Sequence, residues 1–240
     1  MDFYDVITKR KSVRKYSGRP SDGQMSALKD FIGGIKPLYG NIGVKMILAG
    51  ADKVKGKGNG AEDYLLFYSE DKPNARVNCG YILQKAEMFL QVNGIGVCWY
   101  GMGKTELPAE CGYKFIIMLA FGVPEGEQFR ELKDFKRKAL KDTADFESEI
   151  FDIARLAPSA INIQPWRVFQ DENRYHIYRA EPGFPHAILG KLIVGMNQVD
   201  MGIYLSVLEE VYAHFGKTAV FTAETAPARK GLEYIISVNK

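Results

Sequence analysis

The sequence predicts an α+β fold in which one unit of helices and mainly antiparallel strands occurs twice in tandem. Three observations carry that expectation. Helical and strand periodicities alternate along the chain, a long helix followed by two strands recurs with matching residues, and 46% hydrophobic content over 240 residues suffices to bury a full core, as one large domain or two small intimate ones.

The elements begin with Asp2 to Lys9, where Phe3, Val6 and Ile7 fall on one side of a helix. Arg10 to Tyr16 is basic, and Ser17-Gly18-Arg19-Pro20-Ser21-Asp22 turns. Ser21 is placed to N-cap a helix through Met25, Leu28, Phe31 and Ile32, which Gly33-Gly34 ends. Val44 to Ala49 and Tyr64 to Tyr68 read as strands. Between them lie Gly56, Gly58 and Gly60, but a dinucleotide-binding turn joins a strand to a helix, and here another strand follows. Val77 to Val92 is helical until Asn93-Gly94, and Ile95 to Tyr100 is a strand. Gly101-Met102-Gly103-Lys104-Thr105 imitates half of a phosphate-binding P-loop; Cys98 stands where the first glycine of that motif belongs, and Pro108 interrupts the helix it would cap. Phe115 to Phe121 is another strand. Phe146, Ile150, Ile153 and Ala157 then recur at helical spacing, and Pro158 is expected to end that helix, because the residue before a proline is pushed out of the α region. Trp166 to Phe169 follows as a strand.

The repeat is visible without gaps. Aligning Gly80 with Gly202 also aligns Leu83 with Leu205, Glu87 with Glu209 and Gly94 with Gly216, and brings Val97-Cys98-Trp99 onto Ala219-Val220-Phe221. A slightly shorter offset brings Gly112 to Ile117 onto Gly231 to Ile236. Two such copies imply a covalent version of a twofold dimer, the first copy over residues 1–142 and the second over 143–240.

Composition excludes several classes. A net charge of +3 without blocks of like charge predicts neither nucleic-acid binding nor a membrane-surface role. Cys79, Cys98 and Cys111 are odd in number and lack CxxC spacing, which speaks against a disulfide framework or zinc ribbon and suits a reducing cytoplasm. The N-terminus lacks the layout of a signal peptide and the apolar runs are too short to span a bilayer, so a cytoplasmic protein is expected. His176, His186 and His214 share no metal-ligand spacing and are expected to be structural.

Two stretches carry chemistry. In Ala154-Arg-Leu-Ala-Pro-Ser-Ala-Ile-Asn-Ile-Gln-Pro-Trp-Arg167, a short loop presents Ser159, Asn162 and Gln164, three neutral groups that both donate and accept hydrogen bonds. They either read the edge of a planar heterocycle or cap their own backbone. In Arg10-Lys11-Ser12-Val13-Arg14-Lys15-Tyr16, an extended chain would put Arg10, Ser12 and Arg14 on one face, a set suited to phosphate; the alternative is solvated surface.

Together, Arg-Lys-Ser-x-Arg-x-Tyr and Pro-Ser-x-x-Asn-x-Gln-Pro-Trp resemble the flavin-binding signature of the nitroreductase family, and within it the Thermotoga-type subgroup whose fold is duplicated in one chain. The resemblance implies FMN as cofactor, NAD(P)H as electron donor and a nitroaromatic, quinone or related small molecule as acceptor. It also implies a site shared between the copies. By it, Arg10, Lys11, Ser12 and Arg14 hold the phosphate and the polar edge of the flavin, with Arg137 as a second phosphate contact or a solvated basic turn. Pro158, Ser159, Ala160 and Asn162 lie against the ring and its ribityl chain, Gln164 supports the loop, and Gly101 and Met102 bring backbone amides near the redox-active nitrogen. Met102 departs from the acidic or small residue usual there. A monomeric pseudo-dimer with one complete site is expected, since Pro37, Gly40 and Ile42 replace Ser159, Asn162 and Gln164 in the first copy. A flavin-storing protein, a flavin-fragmenting or dehalogenating relative and a scaffold without cofactor are the alternatives.

Overall fold

The computed structural model describes residues 2–56, 60–108 and 112–240, so Gly58 and Cys111 lie outside the described residues. Its elements run in order as α1 (Tyr4–Lys9), β1 (Tyr16–Gly18), α2 (Asp22–Gly34), β2 (Val44–Gly50), β3 (Val54–Lys55), β4 (Asp63–Ser69), α3 (Ala75–Val92), β5 (Gly96–Tyr100), β6 (Lys104–Thr105) and β7 (Lys114–Pro124). Then follow α4 (Glu149–Ala154), β8 (Trp166–Gln170), β9 (Arg174–Ala180), α5 (Gly190–His214), β10 (Phe221–Thr222) and β11 (Leu232–Asn239).

Local sequence explains the boundaries. Ser21 closes a capping box on α2, its Oγ accepting the Gln24 N–H at 3.3 Å while its own N–H donates to Gln24 Oε1 at 3.0 Å. Gly94 (φ 75°) and Gly216 (φ 69°) take up the left-handed conformation just beyond α3 and α5. Helix α4 is shorter than its apolar spacing suggests. It starts after the Ser148 cap, so Phe146 lies outside it, and it ends at Ala154, four residues before Pro158; Leu156 and Ala157 continue only in tighter i→i−3 turns.

The strands form two antiparallel sheets. In the first the order is β1-β7-β4-β2 with β5 also on β7, and in the second it is β10-β11-β9-β8. The path β5-β7-β4-β2 thus has the same order as β10-β11-β9-β8, and α3 and α5 occupy the same place in the connection. Two-residue strands β3 and β6 make a separate ribbon.

Between the sheets lie α3 and α5, buried along most of their length. Their backbones meet at glycine: a Cβ on Gly80 would overlap the Val199 carbonyl oxygen, and a Cβ on Gly202 would overlap the Val77 carbonyl oxygen. The contact is reciprocal in the register that aligns Gly80 with Gly202. Around it the core closes with Trp166 stacked on Tyr204 (4.9 Å between ring centres) and Phe31 stacked on Phe89 (4.2 Å).

Candidate functional site

A cleft of about 360 Å³ opens where the first sheet faces α5. From the N-terminal side it is lined by Ser12, Arg14, Arg76, Trp99, Gly101, Met102, Ile116 and Ile117. The other wall is Pro158, Ser159, Ala160 and Ile161 with the α5 residues Lys191, Leu192, Gly195, Met196, Val199, Asp200 and Ile203.

The basic segment enters because Val13 pins it. Its N–H donates to the Val97 carbonyl of β5 at 2.9 Å and its side chain is buried, so the flanking Ser12 and Arg14 turn together toward the cleft. Arg10 departs from the single face read from the sequence. It is 2% exposed, its Nε donates to Glu87 Oε1 at 2.9 Å, and its Nη2 reaches Ser12 Oγ at 3.4 Å. Glu87 in turn accepts from Gln84 and Gln91, so this buried charge pair is well supplied with hydrogen bonds. Lys11 is half-buried and does not line the cleft.

The opposite loop is held under backbone strain. Ile161 (φ 44°), Asn162 (φ 60°) and Gln164 (φ 54°) are left-handed, a conformation that is costly for a β-branched residue such as Ile161. Side chains fix it from behind. Gln164 is 3% exposed; its Oε1 accepts the Lys138 N–H at 2.7 Å, its Nε2 donates to the Asn162 carbonyl at 3.0 Å, and its N–H donates to Ser159 Oγ at 3.0 Å. Asn162 does not line the cleft. Its amide donates to the Lys136 carbonyl and its Oδ1 accepts from Arg137 Nη1 at 2.6 Å. Arg137 also donates from Nε to the Ala157 carbonyl at 3.1 Å, so it clasps the loop at both ends. Inside the cleft, the Ala160 N–H donates to Asp200 Oδ1 at 2.9 Å.

Charge is unbalanced at this end. Arg137 is pushed down to about 9 by burial, reinforced by the neighbouring Arg10, Arg130 and Arg155. Arg130 lies over the Phe135 ring at 3.7 Å with its buried Nε unpartnered, and Arg14 donates to the Ser12 carbonyl at 3.5 Å. None of Arg14, Arg130 and Arg137 has a carboxylate partner among the described residues. Arg10, by contrast, has Glu87, and Arg155 has Asp152.

Sequence reasoning missed Arg76, Lys191 and Asp200. Arg76, in the first turn of α3, reads as an ordinary exposed helix charge, yet its guanidinium rests on Gly195, where a Cβ would come within 3.2 Å of it. Asp200 left a signal: it is an acid set between Val199 and Met201 and followed by the apolar run Ile203-Tyr204-Leu205. Among the described residues no group of three or more His, Cys, Asp or Glu is placed to hold a metal, and no helix is long and apolar enough to cross a membrane.

Two antiparallel sheets about a central helix pair, with a cleft between a basic segment and a strained loop, define an α+β protein. The family model described as "Putative TM nitroreductase" matches residues 2–211, and the chain belongs to this nitroreductase family of oxidoreductases. Among solved structures it is similar to a "putative nitroreductase" from Thermotoga maritima, at 20% identity and a TM-score of 0.69, covering 99% of this chain and 93% of that one. A nitroreductase family protein from Clostridium novyi matches 55% of this chain and 90% of its own, at 14% identity and a TM-score of 0.44. An FMN-dependent nitroreductase from Clostridium difficile matches 54% and 94%, at 16% identity and a TM-score of 0.42. Comparison with curated proteins gives no match.

Proposed function

We propose that the cleft holds FMN and that the chain passes electrons from NAD(P)H to a nitroaromatic, quinone or related small acceptor. The observation that carries this reading is the group of guanidiniums without carboxylate partners beside Ser12 and the 158–164 loop. Gathering like charges together is unfavourable unless an anion joins them, and a phosphate dianion supplies the missing charge and acceptor oxygens. The residues present fit the cofactor: Arg14, Ser12 and Arg137 for its phosphate and polar edge, with Arg10 and Lys11 behind them. Pro158, Ser159 and Ala160 would serve its ring and polyol chain, Asn162 and Gln164 the loop that carries them, and Gly101 and Met102 the far wall. When bound, the flavin supplies the hydride chemistry. The protein's own work is to orient it, balance its charge and exclude water with Trp99, Ile117, Met196 and Val199.

The same reading includes a duplication, residues 1–142 forming the half with the basic segment and 143–240 the half with the polar loop. Equal strand order in the two sheets and the reciprocal glycine contact of α3 with α5 support it. We place the active unit within one polypeptide, in the cytoplasm.

Titration tests the cofactor. Purified protein incubated with FMN should show bound-flavin absorption bands and bind FMN more tightly than riboflavin, since only FMN carries the phosphate. Equal affinity for the two would overturn the phosphate assignment. Oxidation of NAD(P)H with menadione or nitrofurazone, at a rate well above that of free FMN, separates a reductase from a protein that only stores flavin.

A further inference from the structure

Asp200 is 2% exposed in the middle of α5, and its two oxygens have different fates. Oδ1 accepts the Ala160 N–H at 2.9 Å, while Oδ2 is buried and has no hydrogen-bond partner. The residue lines the cleft, so the unpartnered oxygen belongs to a wall of the proposed cofactor site.

The corresponding position in the first half shows what a purely structural group does there. In the register that aligns Gly80 with Gly202, Asp200 falls on Asn78, which is 0% exposed. Asn78 closes on its own loop with both amide atoms: Oδ1 accepts the Tyr39 N–H at 3.1 Å and Nδ2 donates to the Tyr39 carbonyl at 3.2 Å. At Asp200 one of the two bonds to the loop is made and the other oxygen is buried without a partner in a residue that lines the cleft. A buried polar atom without a partner is unfavourable, so its place beside a cavity points to a ligand that satisfies it.

Resting on the FMN reading above, we infer that Asp200 is a ligand-contacting acid. One oxygen anchors the Pro158-Ser159-Ala160 turn, and the other, carrying a proton, donates a hydrogen bond to an uncharged acceptor oxygen of the cofactor. The proton must sit on Oδ2, because Oδ1 is already an acceptor. The surroundings favour the neutral form. Arg14, Arg76 and Lys191 are the charged groups that line the same cavity, and none forms an ion pair with Asp200; no other acid, histidine or tyrosine lines it among the described residues. Burial lifts the carboxyl to about 8, against the opposing pull of the Ala160 N–H.

The test is flavin binding by fluorescence titration at pH 7 and pH 9, with FMN and with riboflavin, for the native protein and for Asp200→Asn. Native affinity for both flavins should fall about tenfold across that interval, as the donor is lost with its proton. Asp200→Asn keeps an acceptor for Ala160 and a permanent N–H donor for the ligand, so its affinity should stay within about twofold. Because riboflavin has no phosphate, the effect with riboflavin excludes titration at the phosphate site as its origin. Affinity that is flat with pH in the native protein, or a pH dependence that survives in Asp200→Asn, overturns the role of Asp200 while leaving FMN binding in place. No binding of either flavin at any pH overturns the FMN reading and this inference with it. Infrared difference spectra of the flavin-free native protein give a second check: a neutral carboxylic C=O band should be present at pH 7, be lost at pH 9 and be missing from Asp200→Asn. Absence of that band at pH 7 overturns the inference without reference to flavin.

Discussion

Arg10 and Arg14 stand in one basic stretch, yet their surroundings give them different work. Arg10 pairs with Glu87 in the core, so its removal would strand a buried carboxylate and endanger the fold. Arg14 is exposed, lines the cleft and has no carboxylate partner, so its guanidinium is free for ligand. Arg14→Ala should weaken FMN binding by about 1.5–3 kcal/mol, the scale of a hydrogen bond to a charged group, and leave the thermal unfolding midpoint unchanged. Unaltered FMN affinity, measured by titration, would remove Arg14 from the site. Residue types alone did not distinguish the two arginines, because the sequence cannot show that Glu87, on a distant helix, reaches one and not the other. Asp171, His176 and Ser237 warn of the opposite error. They are linked at 2.8 and 2.7 Å like a hydrolase relay, but Ser237 is 0% exposed and also bonds Tyr234, so no substrate reaches it. Exposure, which the sequence does not give, decides both cases.

At the level of elements, signals contained within a few residues were legible and signals from tertiary contact were not. The Ser21 cap, the Asn93-Gly94 stop and the two strand-like runs fall where local chemistry puts them, in α2, α3, β2 and β4. Helix α4 was overestimated because Leu156 and Ala157, apolar at helical spacing, are buried by turns whose carbonyls Arg137 takes. The β3-β6 ribbon escaped notice because two-residue strands leave no periodicity. Glycines in the middle of α3 and α5 were visible only as matching letters, whereas the structure gives them a steric reason. Gly80→Ala would drive a methyl group into the Val199 carbonyl, which neither helix can yield without moving the other. The expected loss is about 3 kcal/mol or more, read as a lower urea midpoint with unchanged m-value, and Gly202→Ala should match it because the contact is reciprocal. A fully tolerated alanine at either position would mean that the helix pair can separate at little cost.

For the whole molecule, the proposed duplication implies two clefts related by the axis through the Gly80–Gly202 crossing, and the residues at corresponding positions differ. Trp99 and Ile203 line the open cleft; their counterparts are Phe221 and Tyr81, whose rings pack edge to face at 6.5 Å. Tyr81 is 6% exposed and its hydroxyl donates to Glu209 at 2.6 Å, so the larger ring is fixed where the isoleucine left room. Arg76 corresponds to Gln198, and the loop facing that side carries Pro37, Gly40 and Ile42 in place of Ser159, Asn162 and Gln164. No counterpart of the Arg10-to-Arg14 segment opens the second half. A phosphate placed there would be buried without compensating charge, which is several kcal/mol unfavourable. Titration should therefore saturate at one FMN per chain, with the same stoichiometry at protein concentrations low enough to separate any dimer. Tyr81→Ile, which restores the smaller side chain of the open cleft, should leave that stoichiometry at one, because space without the guanidiniums does not hold a dianion. Two equivalent FMN per chain, or binding that vanishes on dilution of the protein itself, would show that the complete site is not assembled within a single polypeptide.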